Sequence, residues 1–512
     1  MLRQVTKSPR HQATKSRPSK DLFLSLLSSI LLILSFPNFN FWILSWFGFV
    51  PLFFTLKNKS KLKAFFLSYF TGIIFWFGII YWLVHVTLAG LIVLVLYLAL
   101  YFGLFGLVVK SYELRVKSYE LLFIPSAWVL LEYLRSHLFT GFPWALLGYS
   151  QYLNLPIIQI ADITGVWGVS FLVMMINVLI YRVISYRLGV RSRKREFILP
   201  FLFFFLCLGY GFYKLSATPN SELRTPIKIS VIQGNIPQEL KWDISSKDFI
   251  IDEYLRLSRA ALQDELGLII WPEAALPVVL EEEPLYYEKV VGFIKGIHTP
   301  LLLGAVTKSN NLYYNSALLV SSEGELLNRY NKLHLVPLGE YIPLRKIFGF
   351  LETAVPIGDF TRGREYTVFT LPTRFSVLIC FEDLFPEISR GFVKRGADFL
   401  INITNDAWFQ KTSSPYQHLA ASVLRAVENR AFLVRSANTG ISGFIAPSGK
   451  IISLVQDKMG RNIFINGYST QEMLAPLEKN LSFYTRFGDM FILACFLFVL
   501  LYSILPSLRK QR

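Results

Sequence analysis

Three reactive side chains of unlike type stand where this chain changes direction, and together they would suffice for acyl transfer. Glu273 follows a buried-strand run in Leu268–Pro277 (LIIWPEAALP), where the proline ends the strand and fixes the turn, so the carboxylate points off its end. Lys332 opens Tyr330–Pro343 (YNKLHLVPLGEYIP), ahead of a glycine and Glu340. Cys380 ends an apolar strand in Ser376–Pro386 (SVLICFEDLFP), with Glu382, Asp383 and a helix start behind it. Sharp strand-to-helix turns expose nucleophiles. Acyl transfer needs a nucleophile, a base and a group for the oxyanion. A thiol is acidic and nucleophilic enough for a carboxylate base, and an ammonium stabilises both thiolate and oxyanion. A helix N-terminus and a nearby lysine are expected to lower the thiol pKa from its usual value of about 8.5. The six histidines offer no obvious partner for the thiol, and His334 alone lies close to a motif. Taken singly, each residue also fits an ordinary role: a turn carboxylate, a solvated lysine, a small buried core thiol.

These residues sit in a region that reads as α/β. Strand-like runs are Ile227–Ile232, Leu268–Trp271, Leu301–Ala305, Ser316–Val320, Phe375–Cys380, Phe399–Thr404, Phe432–Ala437 and Ile451–Val455. Helical stretches lie between them, such as Asp248–Leu262, Leu285–Ile297 and Ser413–Arg430. Reactive groups at strand carboxyl ends are where open α/β sheets keep their sites.

The rest of the chain is of another kind. Hydrophobic residues make up 53% of the 512 and charged ones 17%, which is too apolar for an ordinary soluble protein. Apolar runs fall near Leu22–Phe36, Phe41–Leu56, Ala64–Val86, Leu88–Val109, Leu121–Leu134, Ile157–Ile184, Phe197–Leu215 and Phe487–Leu505. Each approximates the length that crosses a bilayer, though the first, second and fifth are short or interrupted, giving about eight transmembrane helices. The division expected is a basic tail over 1–20, a seven-helix membrane domain over 21–217, a catalytic domain over 226–470 and a last helix over 487–505. Charge then sets orientation. The net charge of +17 invites a nucleic-acid reading. However, acidic and basic residues balance between 226 and 470, and the excess lies in the tail and in alternate loops such as Lys57–Lys63 (KNKSKLK) and Arg182–Arg195. The positive-inside rule puts both termini in the cytoplasm and the α/β region outside. No nucleic-acid partner is expected. Cys207 and Cys495 fall in apolar runs and read as inert, which leaves Cys380 a free thiol in the non-membrane part.

WPE, then a lysine in KLHLVPLGEYIP, then ICFED, in this order, resemble the nitrilase superfamily of carbon–nitrogen hydrolases. The wider pattern resembles the apolipoprotein N-acyltransferases. Further motifs are Gly141–Gln151 (GFPWALLGYSQ), Gln233–Asp243 (QGNIPQELKWD) and Asn402–Phe409 (NITNDAWF). The resemblance runs from the first span to the last. It implies an αββα sandwich and a Glu–Lys–Cys triad with Glu273 as base, Lys332 as oxyanion cation and Cys380 as nucleophile. It matches Glu340 and Glu382 to supporting acids, and Trp242 to a loop tryptophan that helps engage substrate. Phe381 stands where relatives tend to have Tyr, so a hydroxyl is lost beside the nucleophile. The implied reaction takes an acyl chain from a phospholipid such as phosphatidylethanolamine. It passes through a Cys380 thioester to the α-amine of a diacylglyceryl N-terminal cysteine on an apolipoprotein. The resemblance also implies a monomer in the bacterial inner membrane.

Trp408 and Phe409 either line an acyl pocket or pack in a core, and Ile342–Phe360 is either a lid on the bilayer or a packing loop. Gly443–Lys450 (GFIAPSGK) misses a phosphate loop by one residue and reads as a hairpin turn. No Cys/His cluster has metal-ligand spacing, and neither metal nor cofactor is expected. Two other readings stay open: a membrane-anchored amidase with the same triad, and a transport or scaffold protein. The few ionisable residues within the spans, chiefly Glu132 and Asp162, speak against transport.

Overall fold

The structure, a computed structural model, describes residues 18–112, 120–187, 198–216, 224–241, 243–337, 339–341, 359–476 and 480–509. Trp242 and nearly all of Ile342–Phe360 lie outside the described residues.

The N-terminal part and the last helix form a helical bundle. Four of its helices are long and apolar enough to cross a membrane: Pro18–Ser35, Lys61–His85, Leu88–Ser111 and Val166–Ser185. The shorter apolar helices Trp42–Leu56, Pro200–Ser216 and Met490–Ile504 fall at other expected spans, and Leu155–Thr164 falls at the start of the run that also holds Val166–Ser185. Two runs read as single spans are broken. Phe41–Leu56 splits into a 3-10 turn, Trp42–Trp46, and a short helix, Val50–Leu56. Asn177 from a neighbouring helix satisfies the break: its amide oxygen accepts from Phe49 N at 2.8 Å and its amide nitrogen donates to Ser45 O at 2.7 Å. Irregular backbone at membrane depth requires such internal partners. Ile157–Ile184 breaks at Gly165, whose φ of +66° suits glycine, and the longer helix Val166–Arg187 follows.

The α/β part holds two sheets. The first contains β1 (Arg224–Gln233), β2 (Leu266–Ile270), β3 (Leu276–Val279), β4 (Leu301–Ser309), β5 (Leu312–Val320), β6 (Leu326–Asn331) and β13 (Gly467–Pro476). Its order is β13-β1-β2-β4-β5-β6, with β3 paired to β4. The second contains β7 (Phe369–Thr370), β8 (Arg374–Ile379), β9 (Phe399–Thr404), β10 (Phe432–Ala437), β11 (Gly443–Ile445) and β12 (Ile451–Leu454), in the order β12-β11-β10-β9-β8-β7. GFIAPSGK is the β11–β12 hairpin, with Gly449 at φ +83° in its turn.

Alternation along the strands gives the first sheet two apolar faces. Ile229, Val231, Leu268, Ile270 and Leu302 join the core shared with the second sheet. Ile232, Ile269, Trp271, Leu301 and Leu303 join a separate core under the helices Lys247–Ala260 and Pro284–Ile297. The second sheet is covered by Pro386–Lys394 and Ser414–Asn429. This is the αββα sandwich expected.

Ser414–Asn429 is buried along its whole length except Tyr416, because the bundle lies on its other side. Gln417 is the joint. Its oxygen accepts from the indole nitrogens of Trp82 at 3.1 Å and Trp144 at 2.6 Å, and its nitrogen donates to Pro37 O and Ile79 O. Glu428 Oε1 accepts from Val166 N at 2.8 Å, and Arg430 pairs with Asp162 at 2.8 Å. Glu132 Oε1 likewise accepts from Leu147 N within the bundle. Both ionisable residues noted near span ends thus have structural partners.

Candidate active site

Each predicted reactive residue leaves the end of a strand on the same side of the sandwich. β2 runs into Trp271-Pro272, and Glu273 turns out of the sheet directly over Gly304 of β4. A Cβ at Gly304 would stand 2.6 Å from Pro272 O and from Ala274 N, so only glycine lets this turn close. Lys332 follows β6, and its N–H donates to Asn315 O on β5 at 2.9 Å. Cys380 follows β8 at φ +56°, a left-handed conformation that lifts the thiol out of the strand. A 3-10 turn, Cys380–Leu384, comes next. Asn402 on β9 donates to Cys380 O at 2.9 Å and holds the elbow.

The charges are tightly ordered. Lys332 is 1% exposed, and its Nζ lies 2.8 Å from Glu340 Oε2 and 3.8 Å from Glu273 Oε1. Asn315 Nδ2 bridges the two carboxylates, donating to Glu273 Oε1 at 2.7 Å and Glu340 Oε1 at 2.8 Å. Glu273 Oε2 accepts from Asn405 N at 2.9 Å. Burial works against the Lys332 charge, yet Glu340, Cys380 and Glu273 hold its pKa above the usual lysine range. Glu382 is fully buried and touches the Lys332 loop rather than open space. Its oxygens accept from Tyr330 Oη, Leu333 N, His334 N and Ile379 N, at 2.6 to 3.0 Å. It staples the lysine loop to the nucleophile turn, and burial pushes its pKa up to about 7.

One expectation is corrected. The Cys380 thiol is not lowered but raised well above its ordinary value, first by burial and then by the Glu273 carboxylate, with Lys332 opposing. A five-residue 3-10 turn in place of a helix N-terminus behind the thiol supplies too little positive potential to offset that burial. The resting thiol is therefore neutral and needs a base.

Phe381 is half-buried, with its ring 5.4 Å from Trp144 of the bundle and 6.0 Å from Phe409. Phe409 in turn meets Trp82 of the bundle at 4.6 Å. Trp408 is 43% exposed and points away from that core. His334 stacks on Phe385 at 3.8 Å, and burial pushes its pKa down to about 4, with Lys332 adding to this.

Four residues not singled out in the sequence also shape the site. Asn315 could have been noticed as a polar residue inside an apolar strand, and Asn405 as the centre of NITNDAWF. Lys241 lies in the quoted QELKWD run, hidden behind interest in its neighbour Trp242. His418 carries no local signal. It sits fully buried behind the nucleophile turn, with Nε2 at 2.7 Å from Asp383 Oδ1 and Nδ1 at 3.3 Å from Asp406 Oδ1. Burial opposes its charge, but Asp383 holds its pKa up at about 9. Among the described residues, no group of three or more His, Cys, Asp or Glu could hold a metal ion.

Residues 28–179 match the family described as apolipoprotein N-acyltransferase N-terminal domain, and residues 228–465 match carbon-nitrogen hydrolase. An apolipoprotein N-acyltransferase of Geobacter metallireducens is 40% identical, over 93% of this chain and 94% of that protein. The chain belongs to the apolipoprotein N-acyltransferase family. This acyltransferase is also similar to the Pasteurella multocida apolipoprotein N-acyltransferase, at 32% identity over 84% of this chain and 86% of that one. A crystallised amidase mutant from Nesterenkonia sp. AN1 is 20% identical, with a TM-score of 0.38, over 51% of this chain and 93% of that one. By its two family matches, this membrane enzyme joins a helical bundle to a carbon-nitrogen hydrolase domain.

Proposed function

We propose that this acyltransferase moves an acyl chain from a phospholipid, phosphatidylethanolamine being the expected donor, to the α-amine of a diacylglyceryl N-terminal cysteine on an apolipoprotein. Glu273 takes the thiol proton and Cys380 attacks the donor's ester carbonyl. Lys332, fixed by Glu340, faces the oxyanion. Glu273 returns the proton to the departing lysophospholipid alkoxide, leaving a thioester. The acceptor amine then attacks the thioester, an amide forms and the thiolate leaves. Glu382 keeps the lysine loop and the nucleophile turn in register. Phe381 and Trp408 are the substrate-facing aromatics, and Trp242 is expected from the family resemblance to help engage substrate.

The observation that carries the lipid reading is the contact between Phe381, next to the nucleophile, and Trp144 of the membrane bundle. A site for a soluble amide has no need to abut apolar helices. The alternating basic loops support about eight spans, with both termini cytoplasmic and the catalytic domain on the periplasmic face of the inner membrane. The enzyme acts as a monomer.

Intact mass spectrometry after incubation with phosphatidylethanolamine tests the first half. The expected result is an acyl-sized gain on wild type, labile to hydroxylamine and absent from Cys380→Ala and Glu273→Gln. A folded wild type that gains no mass in the presence of lipid refutes the reading.

A further inference from the structure

The site holds a second buried lysine. Lys241 is 2% exposed, and its Nζ donates to the main-chain oxygen of Glu273 at 2.9 Å. An ammonium has three donors, and this is its single hydrogen bond among the described residues. Among these residues it also has no carboxylate within ion-pair distance. The titratable groups that bear on it are Glu273 and Cys380, the base and the nucleophile.

The two lysines are therefore opposites. Lys332 is locked in its charged form by Glu340 and Glu273. Lys241 bonds to the main chain of Glu273 and has no ion-pair partner among the described residues, and burial pushes its pKa down to about 8, with the charges of Glu273 and then Cys380 pulling the other way. Where two like groups in one site are driven apart in this manner, the locked one serves as an electrostatic fixture and the poised one moves protons.

The chemistry has an opening for such a group. An α-amine has a pKa of about 8 and arrives largely as ammonium. It must shed two protons on the way to an amide, whereas Glu273 accepts one at a time. We propose that Lys241 is a further catalytic residue, taking the proton that the acceptor's ammonium must lose before it attacks the acyl-enzyme. This rests on the thioester reading above. Neutral Lys241 accepts the first proton and the free amine adds to the thioester carbonyl. The nitrogen of the adduct passes its second proton to Glu273. The C–S bond breaks, and the thiolate recovers that proton as Cys380 thiol. Lys241 releases its proton to water. One ammonium and one thioester give one amide, one thiol and one proton.

The full-length enzyme, loaded with phosphatidylethanolamine, is mixed with a synthetic diacylglyceryl-cysteinyl peptide, and thioester formation and amide formation are timed separately from pH 6 to 9. The variants are Lys241→Met, Lys241→Gln and Lys241→Arg, and thioester yield reports that each is folded. At pH 7 the Met and Gln variants are expected to slow amide formation, relative to their own thioester formation, by about 100-fold. Wild-type amide formation rises with pH and levels off above about 8, and the deficit of the Met and Gln variants shrinks over the same range as the acceptor arrives already as free amine. Arg cannot give up its charge and does not rescue. Equal slowing of both halves, an unchanged amide step, rescue by Arg or no thioester in either the Met or the Gln variant overturns the proposal. Absence of thioester from wild type removes the acyl-enzyme reading itself, and that outcome is visible before any variant is made.

Discussion

Cys380 rests as a half-buried thiol whose pKa desolvation and the nearby Glu273 carboxylate hold well above its ordinary value, so it does not ionise unaided. A preformed thiolate would react with alkylating agents at a rate that flattens once pH passes its low pKa. Here the pKa is raised, so the thiol stays protonated below it and the thiolate fraction grows with pH. Alkylation by iodoacetamide is expected to keep climbing beyond pH 9, and a plateau below pH 8 would show that Lys332 outweighs burial. Glu273 and Cys380 were legible in the sequence because each ends an apolar strand-like run, and Lys332 because it stands between them in the order of motifs WPE, KLHLVPLGEYIP and ICFED. The groups that hold them were not. Asn315, Asn405 and Lys241 reach the site through pairings between β5, β9 and a distant loop, and no spacing along the chain reports such contacts. The thiol's direction of shift was misread for the same reason, since burial is a property of the packed sandwich.

Strands carry the site and set its tolerances. β8, β9 and β10 were readable to within a residue, because buried parallel strands are continuous apolar runs. β3, β6, β7, β11 and β13 were not read. Three of them, β3, β7 and β11, are two to four residues long, and β6, Leu326–Asn331, and β13, Gly467–Pro476, mix polar and apolar residues as edge strands do. The run Ile157–Ile184 was misread as one span because hydropathy measures apolarity alone, and the short run Phe41–Leu56 breaks where Asn177 satisfies its backbone from another helix. At this scale Gly304 is the most exacting position. Alanine there would press on Pro272 O, on Ala274 N and on Glu273 Cα at 2.7 Å, all of them main-chain atoms that cannot swing away. Gly304→Ala is expected to shift the base, and a misplacement of this kind far from substrate contacts can cost about 100-fold in rate. Thioester formation should therefore fall by about that factor while the protein remains folded in detergent by circular dichroism. Wild-type kinetics in the alanine variant would mean that the turn has slack the packing does not show.

The two halves of the molecule share one interior. A single apolar cluster runs from Leu32, Phe75 and Trp128 in the bundle through Trp144 and Val169 to Val377, Ile401 and Leu433 in the sheets. The chain enters and leaves the sandwich at neighbouring points, since Arg224 at the start of β1 stands opposite Pro476 at the end of β13. The helices Ile198–Ser216 and Met490–Arg509 therefore tether it from adjacent positions. The amphipathic pattern of Ser414–Asn429 could announce a helix, but not that both its faces would be covered. Its polar residues Gln417, Arg425 and Glu428 read as surface until the bundle is packed against them. Cooperativity follows from this sharing. Loss of helical circular dichroism, which reports mainly the bundle, and loss of thioester formation, which reports the sandwich, are expected at the same temperature in detergent. Gln417→Leu tests the coupling. It leaves the indole N–H groups of Trp82 and Trp144 buried without an acceptor, at about 1–3 kcal/mol each. Because those donors belong to the bundle while the substituted residue belongs to the sandwich, both probes should move together to lower temperature. If only thioester formation is lost early while the helices keep their wild-type transition, the halves are merely docked and the common core does not bind them into one folding unit.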